Sequence, residues 1–236
     1  MTGTAPTLAI ESRKVEADLA GRGHAVIRNI LDFQTCKSIA ASYKDDNTRF
    51  RSRIAMARYN FGQGEYQYFE YPLPALVQTL REQFYEALAP IANHWHQQLG
   101  IESRWPRSLN DLLQQCHAAG QRRPTPLILK YQQGDYNCLH QDLYGDIHFP
   151  LQVIIQLSAP GPDFQGGELM LVEQRPRMQS RGMVVNWNQG DAVVIPVSER
   201  PRRGTRGFHR AKMRHGVSEL LSGERYTLGL IFHDAK

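Results

Sequence analysis

Tyr136-Asn137-Cys138-Leu139-His140-Gln141-Asp142 is the stretch on which the reading of this chain turns. It begins as a short β-forming run and closes on an imidazole and a carboxylate two positions apart. Side chains at i and i+2 of a strand point to one side, so His140 and Asp142 can meet one metal ion. Such a pair gains meaning only with a further ligand from a distant strand. Four histidines follow in the chain: His148, His209, His215 and His233. His148 is too close in sequence to stand on a separate neighbouring strand. His233 lies past the last good strand residue. His209 falls inside an arginine-rich segment, whereas His215 opens the alternating stretch His215-Gly216-Val217-Ser218-Glu219-Leu220. His215 is the preferred third ligand and His209 the alternative.

The next informative residue is Arg225, ten positions beyond His215. Leu221-Ser222-Gly223-Glu224 reads as a turn, and a hairpin there would return Arg225 toward the strand of His215. Arg225 and Thr227 share parity and therefore a face. A guanidinium grips a carboxylate through two parallel hydrogen bonds and keeps its charge at any relevant pH. Thr227 can donate a hydroxyl to the same group.

The surrounding texture places these residues on strands. From Pro126 onward, short β-rich runs alternate with Gly, Asn, Asp and Pro: Leu127–Tyr131, Tyr136–Asp142, Phe149–Leu157, Glu168–Glu173, Met183–Trp187, Asp191–Val197, His215–Leu220 and Tyr226–Phe232. Eight such runs predict an antiparallel sandwich or jelly roll. The first half is mixed. A short helix is expected over Glu11–Leu19, ended by Gly21 and Gly23, and then a strand over His24–Ile30. Asp32 suits the N-cap of a helix running to about Lys44. Arg49–Tyr71 reads as a hairpin or two short strands. Pro74 suits a helix start, with Leu76, Leu80, Phe84, Leu88 and Ile91 at helical spacing and Pro90 expected to kink or restart it. A further helix is expected over Ser108–Ala119. The organisation expected is one domain of class α+β, with residues 1–125 supporting a β core over 126–236.

Composition bounds the rest. The 41% hydrophobic content of the 236 residues suits a globular protein with a core. No apolar run is long enough to span a membrane, and Met1–Pro6 lacks a secretory signal pattern. Cys36, Cys116 and Cys138 are few, odd in number and scattered, which points to a reducing, cytoplasmic setting. The net charge of +5 is local: Glu199–Arg214 carries Arg200, Arg202, Arg203, Arg206, Arg210, Lys212 and Arg214 against Glu199 alone, and the remainder of the chain sums to −1. A concentrated patch signals a polyanionic or acidic partner. Because this segment leads into His215, it is read as a loop whose charge gathers at the site's mouth. Arg202, Arg203, Arg206 and Arg210 are the candidate substrate contacts, and Phe208 is a candidate stacking residue. Arg49, Arg51, Arg53 and Arg58, interleaved with Phe50, Tyr59 and Phe61, either extend that face or form the solvent side of a strand pair.

Taken together, Tyr131-x-x-Gly134, His140-x-Asp142, Gly166-Gly167-Glu168-Leu169, Gly190-Asp191-Ala192-Val193-Val194-Ile195-Pro196, His215 and Arg225-Tyr226-Thr227 resemble the Fe(II)- and 2-oxoglutarate-dependent dioxygenases. The pieces stand in family order over about residues 127–233. The resemblance implies a double-stranded β-helix with N-terminal helices buttressing it. It implies His140, Asp142 and His215 as Fe(II) ligands. It also implies Arg225, Thr227 and Tyr131 around the far carboxylate of 2-oxoglutarate, with O₂ as the oxidant. The closest textures are the prolyl-hydroxylase-like and nucleic-acid-demethylase branches, and the full chain resembles a bacterial group of predicted nucleic-acid-modifying oxygenases. Alkylated-base demethylases usually carry a second arginine shortly after the first. Leu228–Phe232 offers none, so the single basic residue is more like the prolyl-hydroxylase arrangement. The expected activity is hydroxylation or oxidative demethylation of a substrate, damaged nucleic acid among the candidates. The alternatives are a peptidyl or small-molecule hydroxylase, a cupin-like metal enzyme without 2-oxoglutarate, and a non-catalytic basic β-barrel that binds nucleic acid.

Overall fold

The structure is a computed structural model and describes residues 8–236. Met1–Pro6, the stretch examined for a signal pattern, lies outside the described residues.

Local sequence sets each helix. In α1 (Ser12–Arg22), Val15 and Leu19 are buried, and Gly23 ends the helix in a left-handed conformation with its N–H on the Leu19 carbonyl. A short strand β1 (Ala25–Ile27) follows. Asp32 caps α2 (Phe33–Ala41) by accepting the Thr35 N–H at 2.7 Å, and a 3₁₀ turn continues it to Lys44. Strands β2 (Phe50–Ala55), β3 (Gly62–Gln63) and β4 (Glu65–Phe69) lead to α3 (Ala75–Gln98). This helix runs on through Pro90 without restarting. The expected break is overridden by packing: Leu80, Phe84, Leu88 and Ile91 form one buried stripe across the proline. Ser108 caps α4 (Leu109–Ala118).

The remaining strands are β5 (Leu127–Gln132), β6 (Tyr136–His140), β7 (Leu151–Gln156), β8 (Phe164–Gly166), β9 (Leu169–Gln174), β10 (Arg181–Val184), β11 (Ala192–Pro196), β12 (Glu199–Gly204), β13 (Gly207–Val217) and β14 (Leu220–Leu230). They form two sheets. One has eight strands, in the order β1-β11-β7-β14-β5-β4-β2 with β8 paired to β14. The other has six, in the order β10-β9-β13-β6-β3 with β12 paired to β13. The fold is α+β, a double-stranded β-helix flanked by helices.

Strand parity decides what each face does. On the eight-stranded sheet, Val153, Ile155, Leu228 and Leu230 join the core beneath the helices, with Leu80, Phe84 and Leu88 of α3. The alternate residues Gln152, Ile154, Arg225, Thr227 and Gly229 face the six-stranded sheet and line a cavity.

Two local expectations are corrected. Leu221–Glu224 is not a turn but part of β14, bulged between Leu220 and Ser222. β13 and β14 therefore form no hairpin; they lie in opposite sheets, joined by Ser218-Glu219. His215 accordingly stands near the end of an eleven-residue strand and does not open one. The basic segment is likewise not a loop. Glu199–Gly204 and Gly207–Val217 pair as a hairpin with its turn at Gly204–Gly207. Its regular in/out alternation lets alternate cations be tied to the protein and the others be left in solvent.

The chain's end is held by one buried ion pair. Arg81 on α3 donates to the Ile231 and Phe232 carbonyls at 2.9 and 3.0 Å and pairs with Asp234 at 2.9 Å, both side chains being fully buried. Removing one partner of such a pair strands the other charge. We expect Asp234→Ala to cost about 3–5 kcal/mol in urea unfolding. Asp146→Ala, which removes the exposed partner of Lys236, should barely move the midpoint. Similar small shifts in both variants would contradict this role for the pair.

Candidate active site

His140 and His215 are register partners on neighbouring strands β6 and β13. Direct opposition across an antiparallel pair brings their rings to 4.2 Å between centroids. Asp142 follows β6 by two residues and keeps its parity. Its Oδ1 lies 3.5 Å from His140 Nε2 and its Oδ2 3.2 Å from His215 Nε2. One donor atom from each of the three lies within 4.8 Å of the other two. This is the spacing of a shared ion.

The surroundings orient the donors. His140 Nδ1 sits 2.7 Å from the Cys138 carbonyl, which selects the Nδ1–H tautomer and leaves the Nε2 lone pair facing the other ligands. Tyr144 donates its hydroxyl to Asp142 Oδ1 at 2.7 Å, and Gln152 Nε2 donates to Oδ2 at 2.9 Å. Burial acts to raise the Asp142 carboxyl, but the neighbouring His215 and His140 hold it well below the usual carboxylate range. Burial, then the Asp142 charge, pushes Tyr144 well up, so its hydroxyl keeps the proton that it donates. Burial lowers His215. At His140 burial acts downward, yet the Asp142 hydrogen bond and charge leave a net upward shift. An ionised carboxylate and a neutral His215 are the states a divalent metal needs.

Across the cavity, on the facing sheet, lies Arg225. It is 1% exposed, and its Nε and Nη1 have no hydrogen-bond partner. Among the described residues no carboxylate pairs with it. The rings of Tyr131, Phe164 and Trp187 stand 5.6, 5.8 and 5.8 Å from its guanidinium carbon. Burial brings its pKa down to about 10, so the group is still charged at neutral pH. Gly167 makes room for it: a Cβ there would come within 3.3 Å of Arg225 Cδ and 2.5 Å of Leu220 Cδ1. Thr227 and Tyr131 line the same cavity, and the Tyr131 hydroxyl accepts from Asn137 Nδ2 at 3.3 Å. The cavity, of about 370 Å³, has His140, Asp142 and His215 among its walls together with Arg225; Leu127, Leu129, Ile154, Val217 and Ile231 supply apolar lining. A desolvated, unpaired cation in one cavity with a His-Asp-His cluster, of which Asp142 and His215 are buried and His140 half-buried, is the arrangement a metal-bound dicarboxylate would complete.

The other histidines fall elsewhere. His209 faces Arg202 on the hairpin, six residues or about 20 Å along β13 from His215. His233 is fully buried, accepts the Phe149 N–H, and is brought down to about 3 by burial. His148 lies near it, 6.5 Å between ring centroids. The four candidate substrate arginines, Arg202, Arg203, Arg206 and Arg210, do not line the cavity. Arg202 donates to the Ala20 and Gly21 carbonyls at the end of α1, and Arg210 pairs with Glu199. Charge concentration marked the segment, but parity along the hairpin turns its side chains elsewhere. Gln152 and Tyr144 were not singled out. Each left a trace: a glutamine inside the apolar run Leu151–Ile155 calls for a buried partner, and Tyr144 continues the i+2 series of His140 and Asp142.

Comparison with known proteins gives the family and the fold. Residues 64–235 match the family Oxygenase-NA, described as "Oxygenase, catalysing oxidative methylation of damaged DNA". The chain belongs to this family. An uncharacterized protein of Mycobacterium tuberculosis, found in the strains CDC 1551 / Oshkosh and ATCC 25618 / H37Rv, is 53% identical over 167 residues, covering 71% of this chain and 72% of the relative. The fold is similar to a Pseudomonas putida prolyl-4-hydroxylase at TM-score 0.52 and 16% identity, covering 95% of this chain and 99% of that one. It is also similar to a 2OG-Fe(II) oxygenase family oxidoreductase from Burkholderia pseudomallei at TM-score 0.55 and 14% identity, covering 98% and 95%. No helix among the described residues is long and apolar enough to cross a membrane.

The energetically costly group here is the buried Arg225. Replacing a buried charge with an apolar side chain of similar length removes a desolvation penalty, so Arg225→Met should raise the stability of the ligand-free protein by about 1–4 kcal/mol. The same variant should lose the rise in melting temperature that 2-oxoglutarate with Mn(II) gives the wild type. A variant that is less stable alone, or still stabilised by 2-oxoglutarate, would contradict a carboxylate-binding role.

Proposed function

We propose that this Oxygenase-NA family member uses Fe(II), 2-oxoglutarate and O₂ to oxidise alkylated nucleic acid. The observation that carries the reading is the unpaired, buried Arg225 sharing one cavity with His140, Asp142 and His215. The cupin-like alternative offers no use for that guanidinium, and the non-catalytic alternative offers no use for the ligand cluster.

Each residue then has a task. His140 Nε2, Asp142 and His215 would hold the metal on one face. Cys138, Tyr144 and Gln152 fix the donor orientations through the contacts above. Arg225 would receive the far carboxylate of 2-oxoglutarate in a forked pair, with Thr227 and Tyr131 beside it. Leu127, Leu129, Ile154 and Ile231 keep bulk water away from the reacting end. When bound, the metal and its cosubstrate supply oxidation of a substrate C–H bond, as 2-oxoglutarate and O₂ give succinate and CO₂. On an N-methyl group the resulting N-hydroxymethyl adduct releases formaldehyde, so the methyl is lost. Nucleic acid is favoured over peptide by the family's description and by the concentration of cations just before His215.

The test is substrate-stimulated succinate release with Fe(II) and ascorbate, screened over methylated oligonucleotides, peptides and small acids. We expect oligonucleotides to stimulate it, and Asp142→Ala or a chelator to abolish it. Unchanged turnover in Asp142→Ala would remove that residue from the ligand set. Stimulation by peptides alone would move the substrate assignment to a peptidyl hydroxylase.

A further inference from the structure

Of the seven cations between Glu199 and Arg214, Arg206 lies in the hairpin turn and the other six divide by strand parity. Arg200 and Arg202 turn inward. Arg200 is buried, pairs with Glu173 and donates to the Leu19 and Ala20 carbonyls at 3.0 and 2.8 Å. With Arg202 it caps the C-terminal end of α1, where a helix presents unpaired carbonyls. These two cations hold the helix and are not free for a partner.

The opposite parity faces solvent. On β13, Phe208, Arg210, Lys212 and Arg214 are all exposed, and Arg203 of β12 stands directly across from Phe208. Arg210 is tied to Glu199. Arg203, Lys212 and Arg214 make no ion pair among the described residues. Successive outward side chains on a strand are about 6.8 Å apart, so Phe208 to Arg214 spans about 20 Å. Arg214 ends this row directly beside His215, whose side chain enters the cavity from the other face of the same strand.

From β13 the sheet continues through β6 to its edge at β3, two strand spacings or about 10 Å away. That edge is aromatic. Tyr136 and Leu139 of β6 are exposed, Tyr59 and Phe61 are 55% and 46% exposed, and the rings of Tyr59 and Phe61 stack at 5.7 Å and 21°. Phe61 also lines the cavity. Its position is fixed: its carbonyl accepts the Cys138 N–H at 2.8 Å, and Gly62, at φ 131°, lies so near the Tyr136 carbonyl that a Cβ would collide with it. A row of free cations followed by exposed ring faces at the mouth is the combination that holds single-stranded nucleic acid, through phosphates and stacked bases. A duplex keeps its base faces covered, and an acidic peptide has no use for the rings.

We propose that a single strand of nucleic acid lies along the outer face of the six-stranded sheet with its phosphates against Arg203, Lys212 and Arg214. It crosses the β6–β3 edge, where Phe61 and Tyr59 stack the base beside the one that enters the cavity. This rests on the nucleic-acid reading above and adds the surface, the residues and the strandedness.

Salt titration of the full chain against a fluorescent methylated single-stranded oligonucleotide tests it. Changing Arg203, Lys212 and Arg214 together to Ser should flatten the slope of log Kd against log salt by about 2. Changing Arg13, Lys14 and Lys37 together to Ser removes the same net charge from α1 and α2 and should leave the slope unaltered. Phe61→Ala should weaken single-strand binding about tenfold with the slope retained, and the wild type should prefer the single strand to its duplex. Equal flattening in both triple variants, or none in the first while oligonucleotides still stimulate succinate release, overturns the surface and spares the substrate class. Duplex bound as tightly as single strand, with Phe61→Ala neutral, overturns the strandedness. A wild type that neither binds nor responds to any oligonucleotide overturns both readings.

Discussion

The arrangement depends on a charge placed where a protein alone would not keep it. Withdrawing a guanidinium from water costs several kcal/mol even after relaxation. Three ring faces near Arg225 return part of that, about 2 kcal/mol each at best when desolvated, but rings accept no strong hydrogen bonds from Nε and Nη1. A visiting carboxylate does. The same burial that makes the unpaired guanidinium costly makes its pairing with a dicarboxylate strong. The fold supplies the distance discipline: Arg225 projects from one sheet and the ligand cluster from the other, so a molecule bridging them is measured against the gap between two rigid layers.

Alternation along strands then allocates every neighbouring residue. On β14 from Arg225 onward, odd positions serve the cavity and even positions the helical core. On β13 His215 enters the site while Arg214 faces out, and on β12 Arg200 and Arg202 hold α1 while Arg203 stays in solvent. One basic stretch thereby does two unrelated jobs, anchoring a helix and presenting charge. The buried Arg200–Glu173 pair stabilises the hairpin that displays its exposed neighbours.

Much of this was legible in the residues. Asp32 named its helix as a cap, and five of the eight β-rich runs after Pro126 fall within two residues of observed strands, whereas Met183–Trp187, His215–Leu220 and Tyr226–Phe232 miss by more. His140, Asp142 and His215 were readable because ligand chemistry restricts both residue type and parity. The failures have physical causes. Leu221–Glu224 has turn composition, yet the chain stays in β14 with a bulge between Leu220 and Ser222, and Gly223 sits where a Cβ would collide with the Asp163 carbonyl oxygen; close backbone approach and a turn call for the same residue. Pro90 breaks helices in isolation, but a continuous apolar stripe outweighs one lost hydrogen bond. Adjacency in sequence to His215 suggests that the basic segment gathers at the site's mouth, but adjacency along a strand is not adjacency in space. An extended strand carries its residues away at about 3.4 Å each. Gln152 and Tyr144 went unmarked because their roles exist only once β7 and the 141–144 segment meet Asp142.

A crystal structure of the protein with Mn(II) and 2-oxoglutarate, under anaerobic conditions, tests the central claim most directly. The ion is expected on His140 Nε2, Asp142 and His215 Nε2, and the cosubstrate's distal carboxylate forked on Arg225 with Thr227 beside it. An ion bound without one of the three, or a distal carboxylate directed away from Arg225, would contradict it.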